Sequence, residues 1–205
     1  MKNTNGLSLT GKLTYFAILV ALVVVMQFLG GSIQIGPISL NFTLIPIIIA
    51  GAILGPLFGF LTGLFAGFLI LLLYGVLGMD AIFTGPMFQV QPLVISLVCL
   101  FKTSIAGLVA GFGYKLLSKK NKTLGGYFSS AIVPIINTLI FVLGMLIVKD
   151  SLLAQGFLSS DSSVLSGILV GLVGVNFFFE LGTSIVFAPL IVRVLEVVNS
   201  RIKRG

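Results

Sequence analysis

The chain has 205 residues, of which 58% are apolar and 8% charged, with a net charge of +7 and a mean hydropathy of +1.23. Soluble domains carry about 25% charged residues, so no soluble fold of this length hides so much apolar surface, and composition indicates one integral-membrane domain over residues 1–205. A β-barrel needs ~10-residue segments of alternating polarity, whereas these apolar runs are continuous and rich in Gly and Leu, which leaves an all-α bundle.

The chain opens on a short polar stretch, Met1 to Lys12. Gly6 and Gly11-Lys12 make up most of a phosphate-binding loop, but Leu13 stands where Ser or Thr would hold magnesium, and no strand precedes it. Leu13–Leu29 is expected to be the first transmembrane helix. It is longer than the apolar core of a secretory signal and lacks an A-x-A cleavage site. Ala17 and Ala21 put two small residues on one of its faces, a spacing that lets another helix come close. A loop over Gly30 to Pro37 leads to a short second helix, about Ser39–Leu54, whose length suggests a tilted or broken element.

Glycine then recurs at every fourth position: Gly51, Gly55, Gly59, Gly63 and Gly67. Each would cost ~1 kcal/mol relative to Ala in an isolated helix, and the compensating role in lipid is close helix packing. Pro56 splits this ladder, because proline lacks an N–H and disfavours helix at the residue before it. Gly51 and Gly55 therefore end one span, and Gly59, Gly63 and Gly67 line the next, about Leu57–Tyr74.

The connection Gly75 to Pro92 holds Asp80, Thr84, Gly85, Pro86, Gln89 and Gln91. Its length and mixed polarity suggest a lid. Helix four spans about Leu93–Leu117 and contains Lys102; helix five spans about Phe128–Val148 and contains Pro134 and Asn137. After a connection over Lys149 to Ser163, helix six spans about Val164–Val192 and contains Asn176 and Glu180. Six helices put both termini on one side. Ten basic residues collect there: Lys2, Lys12, the cluster Lys115, Lys119, Lys120 and Lys122, and the C-terminal Arg193, Arg201, Lys203 and Arg204, against Lys149 alone on the other. Short basic loops stay cytoplasmic, so both termini are expected inside. The positive charge then reports topology rather than nucleic-acid binding.

Charged groups at mid-membrane are costly, face the bundle interior and mark function by default. Two qualify, Lys102 and Glu180. At ~1.5 Å per residue, Lys102, Asn137 and Asn176 lie roughly 14, 16 and 18 Å from the outer ends of their helices, a shared depth. Glu180 is one turn from Asn176 on the same face. Two readings follow. In one, Lys102 and Glu180 form a buried ion pair and the asparagines bind helices together. In the other, Lys102, Asn137, Asn176 and Glu180, with Asn41, Gln89 and Gln91, line an outward-facing pocket for a small polar ligand with a carboxylate. With no His and only Cys99, the chain offers no Cys/His metal site, no internal disulfide and no nucleophile–base pair. No cofactor is expected.

These residues carry a resemblance. Six helices in about 200 residues, Ala17-Ile18-Leu19-Val20-Ala21, and Ala52-Ile53-Leu54-Gly55-Pro56-Leu57-Phe58-Gly59 resemble the S components, the substrate-capture subunits, of energy-coupling factor vitamin transporters. Val133-Pro134-Ile135-Ile136-Asn137-Thr138 and the surroundings of Lys102 look most like the pantothenate members. The resemblance implies a protein of the bacterial cell membrane that binds a vitamin from outside under a lid of loops one and three. It implies docking through Ala17 and Ala21 onto a transmembrane coupling subunit, which works with two ATPase subunits, and release inside. Pantothenate has one carboxylate, hydroxyls and an amide, which Lys102 and the amide side chains suit; biotin also has one carboxylate. Riboflavin rewards stacking, yet the chain has no Trp; folate has two carboxylates and would favour a second cation. A stand-alone secondary transporter would favour inverted repeats and several intramembrane carboxylates, and neither is evident.

Overall fold

A computed structural model describes residues 9–31, 33–35, 37–159 and 163–202. Lys2, Gly6, Asp161, Lys203 and Arg204 lie outside the described residues. The elements, in order, are α1 (Leu9–Gly31), a two-stranded hairpin of β1 (Gln34–Ile35) and β2 (Ile38–Ser39), α2 (Leu44–Leu54), α3 (Pro56–Ile70), α4 (Thr84–Val90), α5 (Pro92–Leu117), α6 (Lys122–Ile147), α7 (Lys149–Ala154), α8 (Val164–Ser166) and α9 (Gly174–Ile202). Two π-helical stretches, Leu71–Val76 and Gly167–Val173, extend α3 and join α8 to α9.

Among the described residues, five helical stretches are long and apolar enough to cross a membrane: Leu9–Gly31, Pro56–Val76, Pro92–Leu117, Lys122–Ile147 and Val164–Leu190. The second helix differs from its expected bounds. Ile38 and Ser39 pair with Ile35 and Gln34 in the antiparallel hairpin, and the Asn41 side chain accepts the Thr43 amide at 3.2 Å in a turn that delays helix entry. What remains, α2, has 11 residues, ~16 Å long against a hydrocarbon core of ~30 Å. It touches α1, α3, α5, α6 and α9, and Leu44, Ile47, Ile48 and Ala50 are buried. The basic turn is also shorter than expected, because the Asn121 side chain accepts the Thr123 and Leu124 amides and starts α6 at Lys122.

Gly55 separates α2 from α3 with a φ of +103°, which favours glycine, and Pro56 then takes the first position of α3. The remaining ladder glycines press on α5. A Cβ on Gly59 would run into the Gly107 carbonyl, one on Gly63 into the Thr103 carbonyl, and one on Gly67 into the Cys99 carbonyl. A Cβ on Gly51 of α2 would lie 2.9 Å from the Gly107 carbonyl oxygen. Both helices thus advance in steps of four, ridge against ridge. The Thr103 hydroxyl donates to the Gly63 carbonyl at 2.7 Å across this contact.

Two large apolar clusters, with a smaller third around Leu19, Ala50 and Leu54, form the core among the described residues. One gathers Phe83, Met87, Ile95, Val98, Phe141, Met145, Leu152 and Ile168. The other gathers Val23, Leu44, Ile47, Ile48, Ala66, Ala106, Ala110, Tyr114 and Val133. Along α5, Lys102 falls between Val98 of the first and Ala106 of the second; along α6, Asn137 falls between Val133 and Phe141. Polar residues therefore mark the level where the two apolar layers meet.

Candidate functional site

At that level lies a pocket containing about 580 Å³ of empty space, its open mouth included. Gln27 of α1, Ser39 and Asn41 of the hairpin and its exit, Tyr74 of the first π stretch, Asp80 before α4 and Thr84 at its start, Lys102 of α5, Asn137, Thr138 and Phe141 of α6, and Asn176 and Glu180 of α9 all line it. Lys102 and Asn137 each stand ten residues from one end of their helix and fifteen from the lysine-rich α5–α6 turn, about 15 and 22 Å respectively. The pocket is thus nearer the end that carries Lys149, away from the main basic cluster.

The amides are held in definite orientations. Glu180 Oε1 accepts the Asn41 backbone N–H at 3.2 Å, and Oε2 accepts Asn137 Nδ2 at 3.4 Å. Asn176 Nδ2 donates to the Ile38 carbonyl at 2.8 Å, which ties α9 to the hairpin. Asn41 Oδ1 accepts from both the amide and the hydroxyl of Thr43. Among the described residues, four buried side-chain atoms have no hydrogen-bond partner: Ser39 Oγ, Asn41 Nδ2, Asn137 Oδ1 and Asn176 Oδ1. All four residues line this one pocket. Buried polar groups are normally paired, so four orphans around one space make a site with unmet bonding capacity.

The acidic and basic side chains are disposed unequally. Asp80 is buried, and its carboxylate accepts the amides of Ile82 and Phe83 at 3.2 Å each and of Thr84 at 2.9 Å, which caps the entry to α4. Lys102 Nζ lies 5.3 Å from the centre of the Phe141 ring. Among the described residues no ion pair within 4 Å joins Lys102 to Glu180. Lys102 also borders a smaller apolar space lined by Phe83, Ile95, Val98, Cys99 and Met145.

Asn41, Lys102, Asn137, Asn176 and Glu180 come together here, whereas Gln89 and Gln91 do not. Helix α4 turns Gln89 to the exterior, and Gln91 Nε2 donates to the Ser151 hydroxyl at 2.9 Å, joining the α4–α5 junction to α7. Sequence reasoning passed over Gln27, Ser39 and Tyr74. Gln27 carried a usable signal, since a glutamine inside the apolar run of α1 is itself an intramembrane polar residue. Tyr74 follows from the π stretch, whose widened turns often accompany functional sites; no sequence pattern announces it. Ala17 and Ala21 lie outside the pocket on an exposed face of α1 that also carries Ile18, Val25 and Phe28. No group of three or more His, Cys, Asp or Glu side chains forms a metal cluster among the described residues.

No curated protein matches the sequence. The family model of the substrate-specific component of ECF transporters matches residues 11–195, nearly the whole chain, including every residue of the pocket. Subunits of this kind capture a substrate for transport rather than transform it, and associate with a membrane coupling subunit and ATPases. A multi-pass helical protein matched by this model over nearly its whole length, the chain belongs to the ECF transporter substrate-specific component family.

Proposed function

We propose that the chain captures a small water-soluble vitamin carrying one carboxylate, best represented by pantothenate, from outside a bacterial cell membrane. The observation that supports this most directly is Lys102: a half-buried cation at the pocket wall, over the Phe141 ring, with no ion-pair partner within 4 Å among the described residues. A desolvated ammonium gains most from a carboxylate that replaces its lost hydration. Asp80 and Glu180 already accept protein N–H groups, which leaves Lys102 the more available of the pocket's charges. A second reading, favoured by those same two carboxylates, has Lys102 balancing them while the ligand is neutral.

In this reading α2 and the hairpin complete a sixth crossing, both termini are cytoplasmic, and the segments around α4 and the hairpin cover the ligand. Two ATPase subunits supply the energy through the coupling subunit. Mass spectrometry of small molecules released from the purified, denatured protein tests the proposal. Pantothenate, or another vitamin with a single carboxylate, is the expected compound. A bound vitamin with no carboxylate would overturn the role given to Lys102.

Ala17 and Ala21 are proposed to face the coupling subunit. They are exposed small residues four apart on α1, and such pairs admit a close neighbour. Ala17→Leu with Ala21→Leu should abolish uptake in cells while leaving ligand affinity of the purified subunit nearly unchanged. A fall in affinity matching the fall in uptake would remove the docking role.

A further inference from the structure

The unpaired atoms around the pocket specify more than a carboxylate. Each of the three asparagines has one end of its amide committed to the protein. The Nδ2 groups of Asn137 and Asn176 face acceptors, a Glu180 carboxylate oxygen and the Ile38 carbonyl, which an amide oxygen could not satisfy. Their free ends are therefore Oδ1 atoms, which only accept. Asn41 is the reverse: its Oδ1 is occupied by Thr43, and its free end is Nδ2, which only donates. The orphaned Ser39 hydroxyl can do either. Asn137 and Asn176 are 4% exposed, so their free oxygens lie in a space that bulk water scarcely reaches.

The geometry points to a ligand that, besides its carboxylate, offers at least two hydrogen-bond donors, received by Oδ1 of Asn137 and Oδ1 of Asn176, and one acceptor for Asn41 Nδ2. This rests on the ligand pocket proposed above and narrows its occupant to hydroxylated or N–H-bearing monocarboxylates. Purely acceptor ligands and plain alkanoic acids leave both oxygens unpaired. Glu180 is then a positioning residue: its oxygens hold the Asn41 backbone and the Asn137 amide so that the free ends turn inward.

Calorimetric titration of the purified protein with chemical probes tests this without altering the fold. The probes are pantothenate, its two analogues with one hydroxyl replaced by hydrogen, biotin, and biotin methylated on a ureido nitrogen. If pantothenate binds, at least one deoxy analogue should bind about tenfold or more weakly, because it leaves a buried acceptor unpaired. Equal affinities for all three overturn the inference while the carboxylate role of Lys102 stands. If biotin binds and pantothenate does not, the choice of vitamin fails, and the methylated biotin decides: a loss of about tenfold or more sustains the donor requirement, and equal affinity overturns it. Absence of binding by either vitamin overturns this inference together with the pocket reading it rests on.

Discussion

Replacing Lys102 by Met should weaken binding of pantothenate by at least a few tens-fold and binding of its neutral alcohol, pantothenol, far less. Removing one partner of a buried charge pair costs ~2–5 kcal/mol, much of it the penalty of stranding the other charge. Here the stranded charge is the ligand carboxylate, beside a Phe141 ring and two carboxylates, Asp80 and Glu180, on the same wall. The alcohol brings no charge and loses only a hydrogen bond and some packing, of order 1 kcal/mol. The difference between the two losses measures the charge interaction itself.

The alternative, in which Lys102 serves Glu180, makes an opposite expectation. Glu180 accepts only an amide N–H and one Asn137 N–H, so removing Lys102 would leave a poorly compensated carboxylate and weaken acid and alcohol alike. Glu180→Gln should then restore binding in the double variant. Calorimetry with both ligands on Lys102→Met and Lys102→Met/Glu180→Gln decides. Equal losses that the second substitution repairs would make the pair structural, and a selective loss of the acid that persists would assign Lys102 to the ligand.

How much of this site is legible in the sequence depends on which physical rule each residue obeys. Lys102, Asn137, Asn176 and Glu180 sit in long continuous helices, where position along the chain gives depth at a fixed rise. Their convergence in one pocket follows from the cost of polar groups in lipid. The glycine ladder is legible for the same reason: a regular helix turns a spacing of four into a face. Gln89 and Gln91 sit in a connection, where no such rule operates. There the direction of a side chain is set by α4, a short helix whose start depends on the Asp80 carboxylate capping three amides. The start of α2 fails for a like reason. Ser39 reads as the entry to an apolar helix, yet its backbone pairs in a hairpin whose partner strand, Gln34–Ile35, gives no alternation signal at two residues. Ser39 and the Asn176 bond to Ile38 both depend on that hairpin.

Gly63→Leu should prevent accumulation of folded protein, and Gly63→Ala should lower its stability, because position 63 sits where α3 and α5 are in backbone contact. A Cβ there meets the Thr103 carbonyl and lies 2.8 Å from Ser104 Cα. Both obstacles are main chain, so no rotamer change relieves them and the two helices must part. Overpacking of this kind costs ~1–3 kcal/mol in well-packed cores. Parting the helices also stretches the Thr103-to-Gly63 hydrogen bond, 2.7 Å long, which contributes of order 0.5 kcal/mol or more between membrane helices. Lys102 is the residue before Thr103, so the displacement reaches the pocket wall, and ligand affinity should fall with stability. Gly182→Ala is the control: a Cβ at position 182 of α9 meets nothing within 4 Å, and alanine favours helix over glycine. Thermal unfolding in detergent, followed by loss of monodisperse protein, should place Gly63→Ala well below the parent and Gly182→Ala at or slightly above it. Equal midpoints for Gly63→Ala and the parent would mean that α3 and α5 are not in backbone contact there, and that the ladder serves some other face.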